Sequence, residues 1–283
     1  MILKILLNVF LLLFVYGKIF SQSSEVEISK RVVTLNYSET HVLYSENVRD
    51  SFYIYVKLPK YYDEEITKSY PVIFLLDGDI AFPMAWSVVR YLQYGRYVPD
   101  VIIIGIGYGG LIDGSKLPMR ERDYAISPIE RWEDSGQAKI FLSFLKDELI
   151  PFVESNYRID YSNRTLNGHS LGGLFTLYTL FSEPQLFKNY IASSPYTSYD
   201  VDELLLLEEK NKSEIDKASC RLFISFGETE DEERYALPNT KIINHLRQRG
   251  SDYINLKFRI FDEGVHFSTP SEAMAYGLIH AFR

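Results

Sequence analysis

Two hydrophobic rhythms run along the chain. Near its start, Val32–Tyr37 and Ser51–Leu58 (SFYIYVKL) place apolar and polar residues in turn, the period-two pattern of antiparallel strands with one face in water. From residue 71 onward the pattern becomes short, nearly continuous apolar runs: Pro71–Leu76 (PVIFLL), Val101–Ile106 (VIIIGI), Arg164–Gly168 (RTLNG), Tyr190–Ser194 (YIASS) and Arg221–Gly227 (RLFISFG). Runs of that kind suit strands covered on both faces. Ile254–Phe261 (INLKFRIF) is a further strand that keeps the alternation. Between the runs, helical spacing covers Ala138–Glu154, Leu171–Phe181, Tyr235–Arg249 and Ser271–Phe282. Strand alternating with helix predicts an α/β fold with a mostly parallel central sheet, an antiparallel N-terminal edge and helices on both faces. The segment Gly107–Ser135 is long for a bare connection, and long loops at strand ends of such folds tend to carry function.

The first residues change the picture of where the protein works. Lys4 precedes an apolar stretch, Ile5–Tyr16, which is followed by small or polar residues up to Gln22. The stretch is about 12 residues long and interrupted by Asn8, against about 20 for a spanning helix. Residues 1–22 are therefore expected to be a secretory signal, with 23–283 a single domain, secreted or periplasmic, without stable membrane insertion after cleavage. An uncleaved anchor is the alternative.

Composition narrows the partner. The 283 residues are 46 % hydrophobic and 24 % charged, enough for a large core without staples. The formal charge of −8 becomes −10 once Lys4 and Lys18 are removed. No basic run offsets it, which argues against nucleic acid and for a small ligand. The single cysteine, Cys220, sits in an apolar run and reads as a small buried hydrophobe.

The chemistry gathers around Asn167-Gly168-His169-Ser170-Leu171-Gly172-Gly173. Gly168-His169-Ser170-Leu171-Gly172 fits G-x-S-x-G, follows a strand and opens an amphipathic helix, the context in which a serine nucleophile is lifted above the strand ends on a strained turn. A serine needs a base. His266, in the loop FDEGVHFSTP between the last strand and the last helix, follows Ser170 in the chain order this arrangement requires. The acid should come from the loop after Arg221–Gly227, where Glu228, Glu230, Asp231, Glu232 and Glu233 crowd together. Glu230 is favoured, with Glu228 and Asp231 behind it. Its task is to accept from the far ring nitrogen and hold the tautomer. The oxyanion is expected to rest on backbone N–H groups: Leu171 at the helix start, and Asp79 or Ile80 after the strand Pro71–Leu76. Neither a metal nor an organic cofactor is implied.

YPVIFLLDGD, ERDYAISP, FLSFLKDELIPFVESNYRID, RTLNGHSLGGLFTLY and EGVHFSTP, in this order, resemble the esterase branch of the α/β-hydrolases. That branch includes S-formylglutathione hydrolase, feruloyl esterases, mycolyltransferases and siderophore-ester hydrolases. The likeness runs from about Phe52 to the C-terminus and is strongest toward the siderophore-esterase-like members. It implies an α/β-hydrolase fold, a serine esterase acting on a small-molecule ester through an acyl-enzyme, Ser170 and His266 in the roles above, and an acid within Gly227–Asp231. It also places Arg122 and Tyr124 in a segment lining the pocket. Three other readings compete. Acyl transfer or thioester hydrolysis would use the same triad. A member of the fold that only binds ligand needs no intact serine and histidine. Gly105-Ile106-Gly107-Tyr108-Gly109-Gly110 matches a dinucleotide-binding G-x-G-x-x-G, but that motif should open a helix.

Overall fold

The computed structural model describes residues 32–111, 113–130, 132–250 and 254–283. The expected signal, residues 1–22, lies outside them. The chain divides into a short unit, Met1–Thr34, and a large one, Leu35–Arg283, which carries the sheet.

Eight strands form that sheet: β1 (Ser38–Ser45), β2 (Asp50–Lys57), β3 (Tyr70–Leu75), β4 (Ile102–Gly107), β5 (Ile159–His169), β6 (Asn189–Ser193), β7 (Cys220–Gly227) and β8 (Ile254–Phe261). Their spatial order is β1-β2-β4-β3-β5-β6-β7-β8. β1 and β2 pair antiparallel, as do β2 and β4, and every pairing from β4 onward is parallel. This is the α/β-hydrolase architecture. The continuous apolar runs have the cause expected of them. Along β3, Val72 and Phe74 enter one core while Ile73 and Leu75 enter the other. The larger core lies under helices contributing Phe141, Leu174, Leu204 and Ile242. The smaller one is closed by Val89, Met274 and Leu278.

The first strand differs from expectation. It is Ser38–Ser45, and the Val32–Tyr37 stretch ends in a turn with Tyr37 at φ 60°. As an edge strand, β1 turns Val42 and Tyr44 toward solvent, so its alternation does not reveal which face is inward. Helices α1 (Gly78–Tyr94) and α2 (Leu117–Tyr124), the latter within the long loop, are absent from the sequence reading, as are two between β6 and β7, and the Ala138–Glu154 stretch is split. That stretch is α3 (Ala138–Phe144) and α4 (Ile150–Asn156) joined by a π-helical turn, Leu145–Leu149. Pro151 lacks an N–H and would crowd the carbonyl four residues back, and widening the preceding turn relieves both problems. The remaining helices are α5 (Leu171–Ser182), α6 (Val201–Lys210), α7 (Lys212–Ala218), α8 (Leu237–Gln248) and α9 (Pro270–Ala281). Among the described residues no helix is long and apolar enough to cross a membrane.

Candidate active site

β5 delivers Ser170 to the top of the sheet. Its backbone takes φ 59° and ψ −121°, a strained conformation for a residue with a Cβ. It is held by Ser170 N donating to Ser193 O at 2.9 Å and by Ser170 O accepting from Tyr196 N at 3.0 Å. Strand and helix pass so close here that a Cβ on Gly168 would lie 2.2 Å from Gly172 O. Gly168→Ala is accordingly expected to cost about 3 kcal/mol by overpacking, lowering Tm by roughly 6–12 °C for a chain of this size, as read by calorimetry. An unchanged Tm would mean that the elbow can spread.

The acid and the histidine arrive on neighbouring loops, after β7 and β8. His266 Nδ1 lies 3.1 Å from Glu230 Oε2. Glu230 Oε1 accepts from Gly227 N at 2.8 Å and from Ser194 Oγ at 2.6 Å, and the carboxylate is fully buried. Of the acidic run, Glu230 alone meets His266. Glu228 Oε2 instead accepts from Glu263 N, and Asp231 Oδ1 caps Arg234 N. The two loops are laced together: Glu228 N donates to Phe261 O, Thr229 N donates to Gly264 O, and so does Thr229 Oγ1.

His266 lies among rings. The His169 ring packs against it, centroids 4.5 Å apart at 38°, and so does the Tyr235 ring, 4.5 Å apart at 34°. With Nδ1–H directed at Glu230, Nε2 is left as the acceptor, and the Tyr235 hydroxyl lies 3.4 Å from it. Burial raises the Tyr235 phenol above its usual pKa, partly offset by the neighbouring Ser170, so it stays protonated beside His266 Nε2. Sequence reading missed Tyr235, which sits in a second π-helical turn, Glu232–Ala236, and carried no motif. His169 is pushed down to about 3, first by burial and then by His266 and Arg120. It is neutral, with Nδ1 3.1 Å from Ser193 Oγ.

Leu171 opens α5 and Asp79 lies in the first turn of α1, where backbone N–H groups lack intrahelical acceptors. The Asp79 carboxylate accepts from Tyr55 OH, Tyr108 N and Gly109 N at 2.6–3.0 Å. That occupies, with negative charge, the N–H groups a dinucleotide phosphate would need. No helix opens at Gly110, since α2 begins at Leu117.

Arg122 and Tyr124 stand away from the wall of the cavity beside Ser170. Arg122 pairs with Asp50 and Asp123. Tyr124 is fully buried among Tyr108, Phe141 and Phe175, and its hydroxyl accepts from Asp77 N. The residue of this segment that reaches the site is Arg120. It clamps Asp77 through Nε at 2.7 Å and Nη2 at 3.1 Å, and Nη2 also donates to His169 O at 3.0 Å. A strained Asp77 at φ 54°, the nucleophile elbow and the loop helix are thereby tied at one point. The cavity itself, about 810 Å³, is bounded by Arg120, Trp132, Tyr196, Tyr199, Arg234 and Tyr235, with Ser170 at its rim.

Far from this site, Glu208, Glu209 and His245 bring donor atoms within 4.8 Å of one another. Glu208 is already committed to Arg249 and to His245 Nε2 at 2.8 Å, so the group ties α6 to α8.

An α/β-hydrolase fold with a serine at the strained elbow and a buried carboxylate–histidine pair beside it defines the esterase class of this architecture. The chain belongs to the family described as "Putative esterase", whose model matches residues 45–266, and it is an enzyme of ester hydrolysis. It is 29 % identical over 222 residues to the ferri-bacillibactin esterase BesA of Bacillus subtilis, covering 71 % of this chain and 73 % of that one. It is 31 % identical over 159 residues to the siderophore triacetylfusarinine C esterase of Aspergillus fumigatus, covering 54 % of each. Among solved structures, the BES protein from Bacillus cereus superposes with a TM-score of 0.81 at 28 % identity, over 92 % of this chain and all of that one.

Proposed function

We propose that the protein is an exported serine esterase that cleaves siderophore-type carboxylic esters through an acyl-enzyme. The observation that carries the mechanism is the buried Glu230–His266 pair, with His266 Nε2 left as acceptor beside Tyr235, which lines the same cavity as Ser170. In the first half-reaction Nε2 takes the Ser170 proton as Oγ bonds to the ester carbonyl carbon. The oxyanion rests on the Leu171 and Asp79 N–H groups. Collapse breaks the carbon–oxygen bond, and Nε2 gives its proton to the departing alcohol. A water then repeats the sequence, releasing the acid and returning the proton to Ser170. Glu230 holds the tautomer and balances the imidazolium throughout.

The substrate class is supported by the names of the relatives and by the cavity, which is large enough for a drug-sized ligand and pairs aromatic walls with arginines. Export is supported by the pattern of the first 22 residues. An organophosphonate is expected to label the protein once, at Ser170, with the Ser170→Ala variant unlabelled under the same conditions. Labelling of that variant at an undiminished rate contradicts the proposal.

A further inference from the structure

Ser170 stands at the rim of a second cavity, distinct from the aromatic one and about 530 Å³ in volume. Its wall includes Ile80, Ala81, Met84, Leu111, Leu117 and Phe267. Three of these large apolar side chains are exposed: Ile80 at 58 %, Leu117 at 45 % and Phe267 at 85 %. Exposed apolar side chains gathered around one concavity mark a binding surface. Among the polar groups of its lining, Asp77 pairs with Arg120 and His169 Nδ1 lies against Ser193 Oγ, while the buried His169 Nε2 has no hydrogen-bond partner among the described residues. The neutral His169 beside them adds no charge.

The attacked ester has two arms and Ser170 faces two cavities, so the question is which arm enters which. The proton path decides it. Nε2 of His266 must protonate the leaving oxygen, and Nε2 is the atom beside the Tyr235 hydroxyl. Tyr235 lines the aromatic cavity, whereas His169, whose ring also packs against His266, lines the apolar one. The leaving alcohol therefore lies toward the aromatic cavity, and the acyl group that stays on Oγ turns toward the other. We infer that the apolar cavity bounded by Ile80, Met84, Leu117 and Phe267 receives the acyl arm of the ester that Ser170 attacks, and the aromatic cavity its alcohol arm.

This inference rests on Ser170 as nucleophile, and its test separates the two. Hydrolysis by the full chain is measured on p-nitrophenyl acetate, butyrate, hexanoate and octanoate, in which the leaving group is constant and only the acyl arm grows. Each preparation is titrated with the phosphonate to count competent Ser170. kcat/KM is expected to rise up to about fourfold per buried methylene, chiefly through KM, and then to level off as the cavity fills. In Ala81→Trp, which occupies the cavity, the octanoate-to-acetate ratio of kcat/KM should drop at least tenfold. Leu117→Asp, at an exposed position that tolerates charge, should flatten the same ratio if Ala81→Trp does not fold. A flat or falling series in wild-type protein that labels fully at Ser170 overturns the acyl site and leaves the nucleophile standing. An equally steep series in which the acetyl group is fixed and an aliphatic alcohol lengthens also overturns it, because the cavity would then hold the other arm. Hydrolysis without labelling at Ser170 brings down the parent reading.

Discussion

Ser170→Ala and His266→Ala each lower kcat for ester hydrolysis by about a millionfold, the scale seen when the nucleophile or base of a serine hydrolase is removed. Together they cost hardly more than either alone, because serine and histidine act as one unit. Both variants keep their fold. Ser170 contributes its backbone, not its hydroxyl, to the bonds with Ser193 and Tyr196, and His266 is a loop residue. Steady-state assays with active-site titration, alongside circular dichroism, measure both. A Ser170→Ala protein retaining more than about a thousandth of wild-type kcat would place the nucleophile elsewhere.

Glu230→Gln leaves a weaker but measurable enzyme, with kcat reduced about ten-thousandfold. The amide oxygen can still accept from Gly227 N and Ser194 Oγ, where Oε1 accepts now. The amide nitrogen then faces His266 Nδ1 and donates to it, which moves the ring proton to Nε2 and removes the acceptor Ser170 needs. Glu228→Gln and Asp231→Asn stay within a few-fold of wild type, since their carboxylates hold Glu263 N and Arg234 N on the surface of the loops. Full activity in Glu230→Gln would reduce the machinery to a serine–histidine dyad.

Ser170 and His266 were legible in the sequence because each carries a local signature: a strand–turn–helix glycine pattern, and a loop position late in the chain. Glu230 was one carboxylate among several with the same local chemistry. What singles it out is burial beneath Ser194 and Gly227, a tertiary fact. Tyr235 had no signature at all, since its place follows from a π-helical turn that shifts the register of the loop. The sheet was read nearly whole because both of its faces are buried. Its edge was misplaced because β1 shows apolar residues to water as readily as to the core. α1 escaped notice because Gly78 and Pro83 break the helical signal where it should begin, while its stability comes from Phe82, Ala85, Val89 and Leu92 packing inward.

The lacing of the loops after β7 and β8 settles which parts of this machine are held as one. A Cβ on Gly227 would stand 2.2 Å from Gly264 O, and three hydrogen bonds cross between Glu228 or Thr229 and Phe261 or Gly264, so acid and base ride on one rigid block. Ser170 rides on another, the β5–α5 elbow pinned by Arg120 and Ser193. The two blocks meet at the end of β6, where Ser193 O accepts from Ser170 N and the next residue, Ser194, donates its hydroxyl to Glu230. One dipeptide thereby sets the spacing between the serine and the carboxylate that steadies its partner histidine.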